Sequence, residues 1–134
     1  MTSPSEALQI AVLNALLADE AVAAIVGDRI LDGTRPQVFP CITFGPRDYV
    51  SEDYDCFPSR VESLQLDCWT REGGKTWGAA ALCDAVKAAL HLKELDLDGH
   101  ALTLLRVEAV RVFLDSDSQT AHGVVTLEAE IEER

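Results

Sequence analysis

Residues 101–134, ALTLLRVEAVRVFLDSDSQTAHGVVTLEAEIEER, leave this chain little structural choice. Two β-rich runs flank the polar DSDSQT, so Asp115 to Thr120 read as the turn of an antiparallel hairpin. Val124, Thr126 or Val125, then Leu127, Ala129 and Ile131, alternate with Glu128, Glu130 and Glu132. One face of that hairpin is therefore wet, and the other needs a cover.

The cover is legible upstream. Ser3, Pro4 and Glu6 form a capping box with proline at the first helical position. Leu8, Val12, Ala15 and Leu16 follow as one apolar stripe, and Ile10, Leu13 and Leu17 as a second beside it. An arc this wide exceeds what one sheet face needs. The second stripe is read either as deep core or as a contact with a neighbouring subunit. Asp19 opens a short helix that Gly27 ends. DRILDGTRPQVFP reads as a short strand and a loop. In CITFGPRDYV, the Gly45-Pro46 pair fits an edge or a bulge rather than a central strand.

Asp48 to Ser59 mixes four acids with Tyr49, Tyr54 and Phe57 and has no clean period. It reads as a long loop or a hairpin excursion, with those aromatics as candidate partner contacts. Val61 to Trp69 alternates, with Leu64, Leu66 and Cys68 on one side and Gln65, Asp67 and Trp69 on the other. A helix is expected over 75–90, with Gly78, Leu82, Val86 and Ala89 on one face and Asp84, Lys87 and His91 opposite. The order α-α-β-β-β-α-β-β gives an α+β fold: a single antiparallel β-sheet with helices packed on one face, as one domain over residues 1–134.

LDCWTREGGKTWGAA (66–80) raises the question of a phosphate loop. Gly73-Gly74-Lys75-Thr76 supplies only the end of G-x-x-x-x-G-K-[ST]. Positions 68 and 69 hold Cys and Trp where the upstream glycine belongs, and Glu72 sets an acid beside the would-be anion. The stretch reads as a strand turning into a helix. DLDG (96–99) and DSDS (115–118) begin like calcium loops but lack the distal glutamate. The cysteines at 41, 56, 68 and 83 have no C-x-x-C spacing and do not cluster with His91, His100 and His122, so no metal site is expected. With no basic leader ahead of Glu6, no signal peptide is read, and the thiols are expected to be reduced. The histidines are expected to be exposed bystanders. No catalytic residues, cofactor-binding residues or cofactor emerge.

There are 23 acidic and 11 basic residues, a formal net charge of −12. That excludes a basic footprint for DNA or for anionic membranes. It suits a surface that nucleic acid passes without sticking.

Read in order, LADEAVAAIVGDRILD, PCITFG, the strand ending LQLDCWTREGG, the helix AAALCDAVKAALH and the final strand pair resemble the phage tail completion family. These are also called tail-to-head joining or tail terminator proteins, of siphophages and gene transfer agents. The resemblance covers nearly the whole chain and contains no catalytic motif. It implies a virion structural protein and not an enzyme, made in the host cytoplasm and placed at the head-tail interface. It further implies a homo-oligomer, typically a hexameric ring, that caps the tail tube protein and meets the head connector or stopper protein. DNA would pass through the ring as cargo without specific binding, and no membrane is involved. The Asp48 to Ser59 stretch matches no part of the family pattern. Another neck protein such as a head-tail connector, a tail-tube relative, or a small Asp/His hydrolase are the other readings.

Overall fold

The computed structural model describes residues 2–33, 36, 38–53 and 57–134. Its first helix, α1 (Pro4–Ala18), starts where the capping pattern places it. The Ser3 hydroxyl accepts the Glu6 N–H at 3.2 Å. Asp19 ends α1 and caps α2 (Glu20–Val26), its carboxylate accepting the N–H groups of Ala21 and Val22 at 3.0 and 3.2 Å. Sharing one residue between two helix ends turns the chain sharply, by 84°. Gly27 closes α2 at φ 61°, a conformation that costs a glycine little. Among the described residues no single helix is long and apolar enough to cross a membrane.

The strands are β1 (Ile30–Asp32), β2 (Cys41–Ser51), β3 (Ser59–Arg71), β4 (Ala101–Leu114) and β5 (Thr120–Glu132), with α3 (Trp77–Leu90) between β3 and β4. They form one sheet in the order β1-β2-β3-β5-β4. Three of its pairings are antiparallel, as expected, while β1 and β2 are parallel. The usual long crossover between parallel strands is unnecessary because β1 reaches only from Ile30 to Asp32. So little length can be retraced by the short segment 33–40.

β1 covers β2 only from Ile42 to Phe44, and the ladder shifts register between Phe44 and Arg47. Pro46 thus sits in a bulge on an uncovered edge, where its missing N–H breaks no ladder bond. The adjacent Gly45 is required by space, since a Cβ there would stand 2.6 Å from the Asp67 carboxylate.

Two expectations need correction. Asp48 to Ser51 is not loop but the end of β2, paired with Arg60 to Ser63 of β3, so only the hairpin reading of this stretch holds. Its period is hidden because Tyr49 is packed by a charge: the Arg60 guanidinium lies 3.6 Å from the ring centroid. The helix expected from Lys75 starts at Trp77, and its buried stripe is Ala79, Leu82, Cys83, Val86 and Leu90. Gly78 and Ala89 fall on the flank of that stripe.

The core-facing parity of the sheet is Leu64, Leu66 and Cys68 on β3 and Val125, Leu127, Ala129 and Ile131 on β5, all wholly buried. This settles the register of the last strand on Val125. Leu8, Val12 and Leu16 of α1, Val22 and Val26 of α2, and the α3 stripe complete one cluster on that side. Helix and sheet approach closely at Gly123. An added Cβ would collide with Cys83 Sγ and stand 3.7 Å from the Ala79 carbonyl oxygen.

Gly123→Val should therefore destabilise the chain by about 1–3 kcal/mol through overpacking. In urea unfolding the midpoint should fall while the slope stays unchanged. The turn between β4 and β5 carries a pH dependence. Asp117 accepts the N–H groups of Gln119 and Thr120 at 2.9 and 2.8 Å and the Thr120 hydroxyl at 2.6 Å. Those bonds, the Thr120 hydroxyl first, hold its pKa at about 2 against an ordinary 3.8. A depressed carboxyl stabilises fully above its unfolded pKa, and loses that contribution as pH falls through the folded one. NMR titration should show the Gln119 and Thr120 amide shifts moving with a midpoint near pH 2, and Asp117→Asn should abolish the transition.

Candidate functional site

The outer flank of α1 carries the second apolar stripe. Ile10 is 47% exposed and Leu17 41%. Leu13, one turn from each, is half-buried against the margin of the core. The stripe is thus split: its centre helps close the fold and its two ends face outward. Between Met1 and Asp28 the chain has Glu6, Asp19, Glu20 and Asp28 but no Lys or Arg, so this flank is apolar with an acidic rim.

The β2–β3 hairpin places the expected contact aromatics on different faces. Tyr49 lies opposite Glu62 on the helix-covered side and remains half exposed. Arg60, which stacks on it, also donates to Glu133 at 3.0 and 2.5 Å and to Glu62 at 3.3 Å. Wholly buried Glu62 takes a further bond from the Ser5 hydroxyl at 2.9 Å, tying the start of α1 to the base of the hairpin. The guanidinium pKa is raised by the two glutamates against the opposing cost of burial. Phe57 instead lines a small depression on the helix-free side with Val61, Thr103, Glu130 and Glu132. The third aromatic, Tyr54, lies outside the described residues. Val50, 65% exposed, was not singled out from the sequence, although the same strand parity exposes it.

The helix-free sheet face carries an aromatic and acidic cluster. Trp69 stacks on His122 at 3.8 Å between ring centroids, and Phe113 tilts against the same imidazole at 4.9 Å. His122 Nε2 is 2.6 Å from Asp67 Oδ1, which also accepts Gln65 Nε2 at 2.8 Å. Trp69 Nε1 donates to Thr43 Oγ1 at 2.9 Å. Sequence parity alone placed Gln65, Asp67 and Trp69 on this face. It could have added His122, which has the same parity as the wet-face glutamates of β5. Farther along, Arg106 bridges to Glu128 at 3.3 and 3.2 Å.

The histidines are not bystanders. His91 Nδ1 accepts the Val107 N–H at 2.9 Å, pinning the end of α3 to β4. His100 joins both chain ends, through the Thr2 carbonyl at 2.9 Å and the Arg134 N–H at 3.1 Å. Their positions, at the end of α3 and just before β4, put them against free backbone groups, a tertiary effect that local pattern does not show. Among the described residues, no nucleophile is hydrogen bonded to the Asp67–His122 pair. The nearby Thr43 hydroxyl is buried and bonded to Trp69.

Gly73 and Gly74 form a turn at φ 63° and 85°, joined by the Lys75 N–H to the Glu72 carbonyl at 3.3 Å. The Glu72 carboxylate fills the space a Cβ on Gly78 would need, at the start of α3. An acid of the chain thus stands where a phosphate would have to bind. Cys41, Cys68 and Cys83 are buried free thiols, and Cys56 lies outside the described residues. Among the described residues, no three His, Cys, Asp or Glu side chains are grouped to hold a metal ion.

No curated protein matches this chain. Among solved structures, a chain from the virion of a native gene transfer agent (GTA) particle superposes with a TM-score of 0.88 at 23% identity. The match covers 98% of this chain and 99% of that one, so the two share a fold along their whole length. A family profile described as tail completion protein gp17 matches residues 10–132. With a profile match over nearly its whole length and the α+β architecture just described, the chain belongs to the tail completion protein gp17 family, and is a structural protein of a phage-type tail.

Proposed function

We propose that this protein closes into a homo-oligomeric ring, six-fold by family resemblance, on the head-proximal end of a tail tube. There it caps the tube and offers its other side to the head connector, while DNA passes through the centre. The observation that carries this reading is the split stripe on α1. One face of the helix already fills the core, yet Ile10 and Leu17 remain nearly half exposed on an adjoining face.

Full burial of one such side chain is worth ~1.5–3 kcal/mol, so covering the exposed half of two gives about half of that for each. A stable interface buries ~1,200–2,000 Å² in total. The α1 flank is thus one anchor among several, and exposed Tyr49 and Val50 add apolar area. A net charge of −12 per subunit opposes association. That repulsion is screened beyond ~8 Å at physiological salt. Glu128, Glu130 and Glu132 on the helix-free face are suited to a passage that must not grip a polyanion.

The double variant Ile10→Asp, Leu17→Asp tests the interface without touching the core. It should remain a folded chain by circular dichroism. Light scattering should show its association weakened at least tenfold, and it should fail to join tails to heads in a particle-assembly assay. Association of the unaltered chain should strengthen as salt is raised from 50 to about 300 mM, the range in which screening grows. A double variant that assembles like the unaltered chain contradicts the reading.

A further inference from the structure

We infer that Cys68 and Cys83 form a latent disulfide, a modification site that locks α3 onto the central strand β3 when the assembled tail meets an oxidising exterior. Cys68 lies on the core face of β3 and Cys83 on the buried stripe of α3, and both are free thiols with no solvent exposure. They converge on one point. Gly123 of β5 is the ladder partner of Cys68. A Cβ built on Gly123 would collide with Cys83 Sγ and stand 3.4 Å from Cys68 Cβ. The missing side chain leaves the room that Cys83 Sγ occupies beside Cys68 at the helix–sheet interface. Ala79, one turn before Cys83, allows the same close approach.

The two thiols are close enough to perturb each other's ionisation. The neighbouring Cys68 thiol lowers the Cys83 pKa, while the Cys68 thiol is held protonated, first by Cys83 and then by burial. One member is thereby prepared as a nucleophile and the other as its partner. Cys41 is excluded from the pair. It is the ladder neighbour of Trp69, on the opposite face of the sheet, and burial pushes its thiol up.

The oxidant is a peroxide. The Cys83 thiolate attacks one oxygen of hydrogen peroxide, the O–O bond breaks, and hydroxide leaves, giving the sulfenic acid. The Cys68 sulfur then attacks the sulfenic sulfur and gives up its proton. The S–O bond breaks, the S–S bond forms, and the oxygen departs as water with that proton. The hydroxide takes up the proton first lost by Cys83. Two thiols and one peroxide become one disulfide and two waters, with two electrons passing from sulfur to oxygen. Both sulfurs are buried, so oxidation requires local opening of α3 and is slower than at an exposed thiol.

The test uses the intact chain. Hydrogen peroxide treatment, unfolding under non-reducing conditions, alkylation and peptide mass mapping should yield a Cys68–Cys83 linked peptide and the loss of two alkylatable thiols. The urea midpoint should rise over that of the reduced chain and return on adding dithiothreitol. The Cys41→Ala, Cys56→Ala variant should keep the entire effect. Finding Cys68 and Cys83 still alkylatable, oxidised singly, or linked to other cysteines would overturn the inference. So would a linked chain whose urea midpoint does not rise. Because the peptide map is made on the unaltered chain, the result does not depend on any variant folding.

Discussion

Everything in this fold depends on a sheet that is apolar on one side only. β3 and β5 run side by side along their entire length, and their inward parity from Leu64 to Cys68 and from Val125 to Ile131 is wholly buried. Such a face left to water would cost about 10–20 kcal/mol at ~25 cal/mol per Å². The helices are there to cover it, and their composition follows from how closely each must approach. α3 lies close over Gly123 and is accordingly rich in alanine, with Cys83 at the contact. α1 adds Leu8, Val12 and Leu16 to the same core.

Local polar interactions then fix the covers in place. Ser3 and Asp19 cap the two N-terminal helices, Glu62 and Arg60 tie α1 to the hairpin, and His91 ties α3 to β4. None of these bonds drives folding, because each exchanges a bond to water for one within the protein. They decide instead which arrangement of an otherwise greasy interface is unique. The same layout leaves the helix-free face and the outer flank of α1 uncovered by the chain's own helices.

Element order was legible because each element carries its own signature: capping residues for α1, alternation for β3 and β5, the Gly45-Pro46 break for β2. What local pattern could not show depends on partners distant in sequence. The parallel pairing of β1 follows from its shortness, and the strand character of Asp48 to Ser51 from β3 opposite it. The candidate contact surfaces were half legible. The surplus stripe on α1 stood out as too wide an arc, but that Leu13 turns inward while Ile10 and Leu17 do not is set by the neighbours of α1. Tyr49 and Phe57 looked like one patch because they are close in sequence. The pleat places them on opposite faces. The tail assignment itself came from the order of several unspecific segments, since a structural protein needs no motif of reactive groups to betray it.

The central claim is that this tail protein acts once per tail, as a closed ring between tube and head. The most direct measurement is a reconstruction of the assembled particle at a resolution that traces side chains. The account predicts this chain as a single ring at the head-proximal end of the tube, six-fold, with α1 of each copy against its neighbour. Many stacked copies along the tail, or a place at the distal end, would contradict it.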